Sequence, residues 1–173
     1  MNIASNHLAG YSNNRASMDF YPTPTWATEA LFTVEKFSGV VLEPAAGDGA
    51  MVQVIKKYND CVSNDIVCGY DFLSETRKFP NVITNPPFTL AKEFVEKAKI
   101  IADEKIALFL KLAFLEGQSR VGMFRDVKFP LARVHVFSKR VTFHPNGIED
   151  KNVAVQWLLL GLYGIKSIRV LRQ

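Results

Sequence analysis

The chain has 173 residues, 48% hydrophobic, 12% aromatic and 22% charged, with a net charge of +4. That composition excludes an unfolded chain, and the length suits one domain with its own hydrophobic core. The charge is uneven: residues 1–85 hold 6 Lys/Arg and 9 Asp/Glu, whereas residues 86–173 hold 15 and 8.

The opening MNIASNHLAGYSNNRAS lacks the apolar stretch of a secretory signal. Its Asn- and Ser-rich composition predicts a flexible segment over residues 1–17, followed by a single domain over 18–173. In DFYPTP, Pro22 and Pro24 impose a rigid extended piece. Thr25 is a suitable N-cap for a helix to about Lys36, with Trp26, Ala27, Ala30, Leu31 and Val34 on one stripe. Val40–Glu43 reads as a strand, followed by a glycine turn and a helix from about Ala50 to Tyr58. Cys61–Ser63 and Val82–Thr84 read as further strands. Between Thr89 and Ala102 the periodicity predicts an amphipathic helix facing in through Phe94, Val95, Ala98 and Ile101. Ile106–Leu112, Val134–Phe137 and Val153–Leu160 are continuous apolar runs, as in a sheet covered on both faces. Strand–helix alternation predicts an α/β fold with a doubly wound sheet.

The longest apolar run, Val153 to Ile165, is too short to span a bilayer and contains Gln156. Cys61 and Cys68 match no metal or redox spacing, and His7, His135 and His144 are scattered. A reduced cytoplasmic protein without a metal is the expectation.

VVLEPAAGDGA, Val40 to Ala50, places Gly47 and Gly49 directly after a strand. Glycines there let a ligand approach the backbone, and Glu43 stands at the strand's carboxyl end, where open α/β sheets bind ligands. Asp65 follows the next strand, where dinucleotide folds place a ribose-binding acid. The turn lacks G-x-G-x-x-G spacing, so a ligand with a ribose and an ammonium group and no phosphate fits the acids better. The alternative is a structural turn with Glu43 capping locally. In GYDFLSE, Asp71 is suited to accept from an adenine amino group while Phe72 packs on the ring. The alternative there is a loop aspartate beside a core phenylalanine.

The stretch NVITNPPFTLAKEF sets two prolines at the end of an apolar run. Neither can donate to a sheet, and both have a locked φ. An exocyclic amine on an aromatic base is a poor nucleophile, because its lone pair is delocalised into the ring. Two acceptors on its N–H groups would localise that pair. Asn85 offers a side-chain carbonyl, Pro86 a backbone carbonyl held rigid by Pro87, and Phe88 a ring for stacking. The alternative is a proline-rich strand terminator.

EPAAGDG followed by NPPF resembles the S-adenosylmethionine-dependent amino-methyltransferases. Together with DFYPTP upstream and KLAFLEGQSR downstream, the pattern looks most like small phage-type DNA N-6-adenine methyltransferases, over residues 18 to 165. The resemblance implies a Rossmann-like class I methyltransferase sheet, mostly parallel with an antiparallel strand near the C-terminus. It implies S-adenosylmethionine as cofactor, held at its methionine end by Glu43, Ala45, Gly47 and Gly49, with Tyr21 and Thr23 from the upstream segment. It further implies Asp65 and Ile66 at the ribose and adenine, Asp71 and Phe72 at the adenine edge and face, and Asn85, Pro86, Pro87 and Phe88 at the target amine. Many relatives carry glycine where this chain has Ala45.

From 105 to 140 the chain has eight Lys/Arg against two Asp/Glu. Lys111, Arg120, Lys139 and Arg140, with Phe143, suit backbone contacts beside a flipped base, although each alone also suits an ordinary surface. The expected reaction is methylation of adenine N6 in DNA, with a short or relaxed sequence preference because no stretch is left for a separate target-recognition domain. RNA as the substrate, a protein glutamine amide, and a non-catalytic nucleic-acid-binding protein are the alternatives.

Overall fold

Each of the long apolar runs becomes a strand of one sheet. The structure, a computed structural model, describes residues 22–143, 154–161 and 167–171. Among them the elements run α1 (Thr25–Val34), β1 (Val41–Glu43), α2 (Ala50–Ile55), β2 (Cys61–Ser63), β3 (Phe79–Thr84), α3 (Ala91–Ile101), β4 (Ala102–Lys111), α4 (Val121–Phe124), β5 (Leu131–Phe137), β6 (Val155–Gly161) and β7 (Ser167–Leu171). The strand order is β2-β1-β3-β4-β6-β5-β7. β6 runs antiparallel to β4 and β5, and the other pairings are parallel. This is the doubly wound, mostly parallel sheet expected, with its antiparallel strand near the C-terminus.

The strands are apolar throughout because both faces are covered. On one face Ala27 and Leu31 of α1 and Met51 and Ile55 of α2 pack with Val41, Ile83, Phe109 and Trp157. Trp157 Nε1 donates to the Ala27 carbonyl at 2.8 Å, which satisfies the indole within that layer. On the other face Phe94, Val95, Ala98 and Ile101 of α3 pack with Leu42, Val82, Ile106 and Leu108. Each of these large side chains contributes about 1.5–3 kcal/mol through burial.

The chain leaves β1 for β2 on one side and returns to β3 on the other. The order reverses between β1 and β3, so a crevice opens there at the carboxyl ends of these two strands.

Several boundaries differ from the sequence reading. Thr25 is the first helical residue and Pro24 the cap, with no side-chain cap bond. α1 ends at Val34 rather than Lys36 because Glu35 turns into a buried ionic cluster. Its carboxylate accepts from Arg133 Nη2 at 2.9 Å and from Arg133 Nε, meets His135 Nε2 at 2.9 Å, and lies 3.5 Å from Lys105 Nζ. α2 is shorter than expected, and β4 begins directly at Ala102 with no loop after α3. After β4 a 3₁₀ turn, Gln118–Arg120, leads into the four-residue α4. β7, paired with β5, was not read at all, because SIRVL is short and broken by Arg169. Among the described residues no helix is long and apolar enough to cross a membrane.

Candidate active site

The glycine turn is held from both sides. Gly47 and Gly49 have φ of 54° and 82°, the left-handed region that glycine enters without strain. Gly49 N donates to the Ala46 carbonyl at 2.8 Å and closes the turn. Toward β2, Ala46 N donates to Asn64 O and Asn64 N to Glu43 O, both at 3.0 Å. Asp65 then locks the loop: Oδ2 accepts from Gly47 N at 2.8 Å and Oδ1 from Val67 N at 3.0 Å. A Cβ placed on Gly49 would meet nothing within 4 Å, so the space outside the turn is open.

Glu43 lies beneath this turn and is fully buried at 0% exposure. Its Oε1 accepts from Ala45 N at 2.9 Å and from Thr84 Oγ1 at 2.7 Å. Its Oε2 is buried without a hydrogen-bond partner among the described residues. Burial pushes the carboxyl up to about 8, against the hydrogen bonds from Thr84 and Ala45 and with a small push from the Asp65 charge. Local capping by Glu43, one of the two sequence readings, is therefore present, yet half of its acceptor capacity is unused.

Asp71 caps the 3₁₀ turn Phe72–Ser74, with Oδ1 accepting from Leu73 N at 2.9 Å. Phe72 corrects the sequence reading. It is only 2% exposed and its ring packs 4.8 Å from that of Phe94, so it belongs to the core and does not offer a face to a ligand. Ile66 is partly exposed at the start of its own 3₁₀ turn.

Asn85 follows Thr84 directly, so the same strand end that reaches Glu43 also carries the first residue of NPPF. Asn85 Nδ2 donates to Thr23 Oγ1 at 2.9 Å, which joins the upstream Pro-Thr-Pro segment to the Asn-Pro-Pro-Phe turn. Thr23 is 5% exposed. Tyr21, the other residue expected from that segment, lies outside the described residues. Leu90 N donates to the Pro87 carbonyl at 2.9 Å, so the turn leading into α3 uses the second proline's carbonyl rather than that of Pro86.

Phe88 is half-buried and packs against both cores. It lines a cleft of about 170 Å³ with Ala91, Leu110, Lys111, Ala113, Phe114 and Arg120. Three residues expected at the nucleic acid thus meet in one place. Lys111 Nζ sits 4.7 Å from the Phe88 ring centroid. Arg120 stacks over Phe114 at 4.6 Å, and its Nη1 donates to the carbonyls of Phe114 and Glu116 at 3.2 and 2.8 Å. Lys139 and Arg140 are exposed just beyond β5. β4 and β5 both run antiparallel to β6, so the carboxyl end of β5 points to the same sheet edge as those of β1, β3 and β4. Phe143 is a second correction. It is 0% exposed and faces Phe109, with ring centroids 6.1 Å apart, so it is a core ring and not a stacking surface.

The sequence reading missed Thr84 and Asn64, which connect the turn to its neighbours. The available signal was a hydroxyl at the end of an otherwise apolar strand: a buried Thr needs a partner, and Glu43 ends the adjacent strand.

No family model and no curated protein matches the sequence. Solved structures do match. The M protein of the Type I restriction enzyme EcoKI is similar with a TM-score of 0.64 at 15% identity over 92% of this chain, which spans 50% of that one. A proposed RNA methyltransferase from Pyrococcus horikoshii gives 0.59 at 16% identity over 91% of this chain and 98% of the other. A dimethyladenosine transferase from Plasmodium falciparum gives 0.57 at 15% identity, over 83% and 63%. At such identities the likeness is one of architecture: the chain has the Rossmann-like class I methyltransferase fold.

Proposed function

We propose that this chain binds S-adenosylmethionine in the crevice between β1 and β3 and transfers its methyl group to the N6 amine of adenine in DNA. The observation that carries the reading is the bond between Glu43 and Thr84. It ties the glycine turn to the residue that precedes Asn85, so the cofactor turn and the amine clamp form one crevice.

The residues present suit the cofactor. Glu43 has a buried oxygen, Oε2, without a partner among the described residues below an open glycine turn, and a cationic group there would draw off the proton that burial favours and pair with the carboxylate. Gly47 and Gly49 allow close approach, and Asp65, Ile66 and Asp71 follow along the same edge for the nucleoside part. When bound, the cofactor supplies an electrophilic methyl on a sulfonium. The chain's own part is positioning and electrostatics. The Asn85 side-chain carbonyl and the Pro86 carbonyl accept from the adenine amine, Phe88 stacks on the base, and Lys111, Lys139 and Arg140 meet phosphates. Those backbone contacts carry no sequence information, which supports a short or relaxed target preference.

The test is transfer of labelled methyl from S-adenosylmethionine to separate DNA, RNA and protein pools, followed by digestion and analysis. Label in N6-methyladenine from DNA is the expected result. Label in RNA adenine or in protein glutamine alone would move the reading to that substrate. Cofactor binding with no transfer to any pool would reduce it to a binding protein.

A further inference from the structure

Lys111 stands where a target base would stack. Its ammonium lies 4.7 Å from the Phe88 ring centroid, and both side chains line the same cleft. Phe88 packs against both cores, so the side of the ring turned to the cleft is the side a base can use. An ammonium and a base cannot share it.

The two cations of the cleft differ in freedom. Arg120 is fixed by its bonds to the Phe114 and Glu116 carbonyls. Among the described residues the hydrogen bonds at Lys111 are made by its backbone and not by its ammonium. Its carbonyl accepts from Gln156 Nε2 at 3.2 Å, and the next amide, Leu112 N, donates to Ala154 O at 2.8 Å. Its head is exposed on a flexible four-carbon stem, and among the described residues no carboxylate pairs with it. A solvent-exposed ammonium on an aromatic ring is held weakly, and stacking of a base is at least as favourable, so exchange is easy. The displaced ammonium is a mobile point charge at the sheet edge where a phosphate backbone would run.

We propose that Lys111 is a place-holder for the target base: its ammonium covers Phe88 in the free protein and passes to a phosphate of the target strand when adenine takes its place on the ring. The inference rests on the methyltransferase reading above. It makes Lys111 a positioning residue that couples base entry to backbone binding.

The test uses Lys111→Met and Lys111→Arg with two fluorescent probes. One is 2-aminopurine riboside, an uncharged adenine analogue without phosphate; the other is a 2-aminopurine oligonucleotide. With Lys111→Met, the riboside should bind about 2–5-fold tighter, because its competitor is gone. The oligonucleotide should bind more weakly, with a slope of log affinity against log salt shallower by about 0.7–0.9, one phosphate contact. Lys111→Arg, which keeps the charge, should retain the wild-type salt slope and should not gain riboside affinity. Unchanged riboside affinity in Lys111→Met, weaker binding of both probes, or an unchanged salt slope would each overturn the inference. Failure of the wild type to bind either probe would instead sink the methyltransferase reading on which it rests.

Discussion

Asn85 donates through Nδ2 to Thr23 Oγ1 at 2.9 Å, across 62 residues of sequence. The bond holds the Asn85 side chain by its amide end. In the proposed reaction the carbonyl end of the same side chain is the acceptor for the target amine. Thr23→Val removes that orientation while keeping the shape. Turnover should fall about tenfold, the rate equivalent of about 1–1.5 kcal/mol for one hydrogen bond, with little change in KM for the cofactor. Thr23→Ser should restore most of it. Equal kcat for the valine and wild-type proteins would show that the bond has no catalytic consequence.

Asn85→Ala goes further and deletes the acceptor itself. A preorganised polar group at the reacting atom is worth about 10²–10³ in kcat. Cofactor affinity, read from the rise in Tm with added S-adenosylmethionine, should change far less. Loss of that rise together with the activity would place Asn85 in the cofactor site instead.

Glu43 sets a pH dependence of an unusual sign. Burial pushes its carboxyl up to about 8 from an ordinary value of 4.5. Between those values the folded protein holds a proton that the unfolded chain has released, so this group makes stability fall as pH rises through the window and level off above it. Thermal melts of the ligand-free protein at pH 5 to 9 should show the decline, and Glu43→Gln should flatten it. A melting curve whose slope is the same in both proteins would place the titration elsewhere.

Glu35 has the opposite sign. Burial alone would raise its carboxyl, but the hydrogen bonds from His135 and Arg133, with the charges of Arg133 and Lys105, bring it down to about 2. Its contribution is present above about pH 4.5 and is lost as pH falls from there toward 2. Glu35→Gln leaves Arg133 partly buried without its counter-charge and should cost about 3–5 kcal/mol at neutral pH by urea unfolding. The acid limb of its stability profile should be shallower than that of the wild type.

The fold was legible because strands buried on both faces must be apolar throughout, and α3 writes its buried face at helical spacing in Phe94, Val95, Ala98 and Ile101. β7 was not legible, since a short strand mixing Ser167 and Arg169 with apolar residues carries no such signal. In the candidate site, Glu43, Gly47, Gly49 and Asn85 stand out in the sequence because each is a residue type that the end of a strand or the turn after it rarely carries without a reason. What the sequence could not give was direction. Asp65 uses both oxygens on backbone amides, and Arg120 spends Nη1 on nearby carbonyls. Neither use follows from charge or spacing.

The same limit separates two phenylalanines that the sequence reading placed at the nucleic acid. Phe88 faces the cleft beneath Lys111, while Phe143 is sealed against Phe109. Phe88→Ala should therefore weaken binding of an adenine-containing oligonucleotide by about 1–3 kcal/mol, the value of one base–aromatic stack, with a modest loss of stability. Phe143→Ala opens a cavity in a closely packed layer and should cost about 3–5 kcal/mol of folding free energy. The fraction that remains folded should bind the oligonucleotide as the wild type does. Urea unfolding and equilibrium binding on the two variants separate the effects. A Phe143→Ala protein of normal stability and weakened binding would return that ring to the nucleic-acid surface.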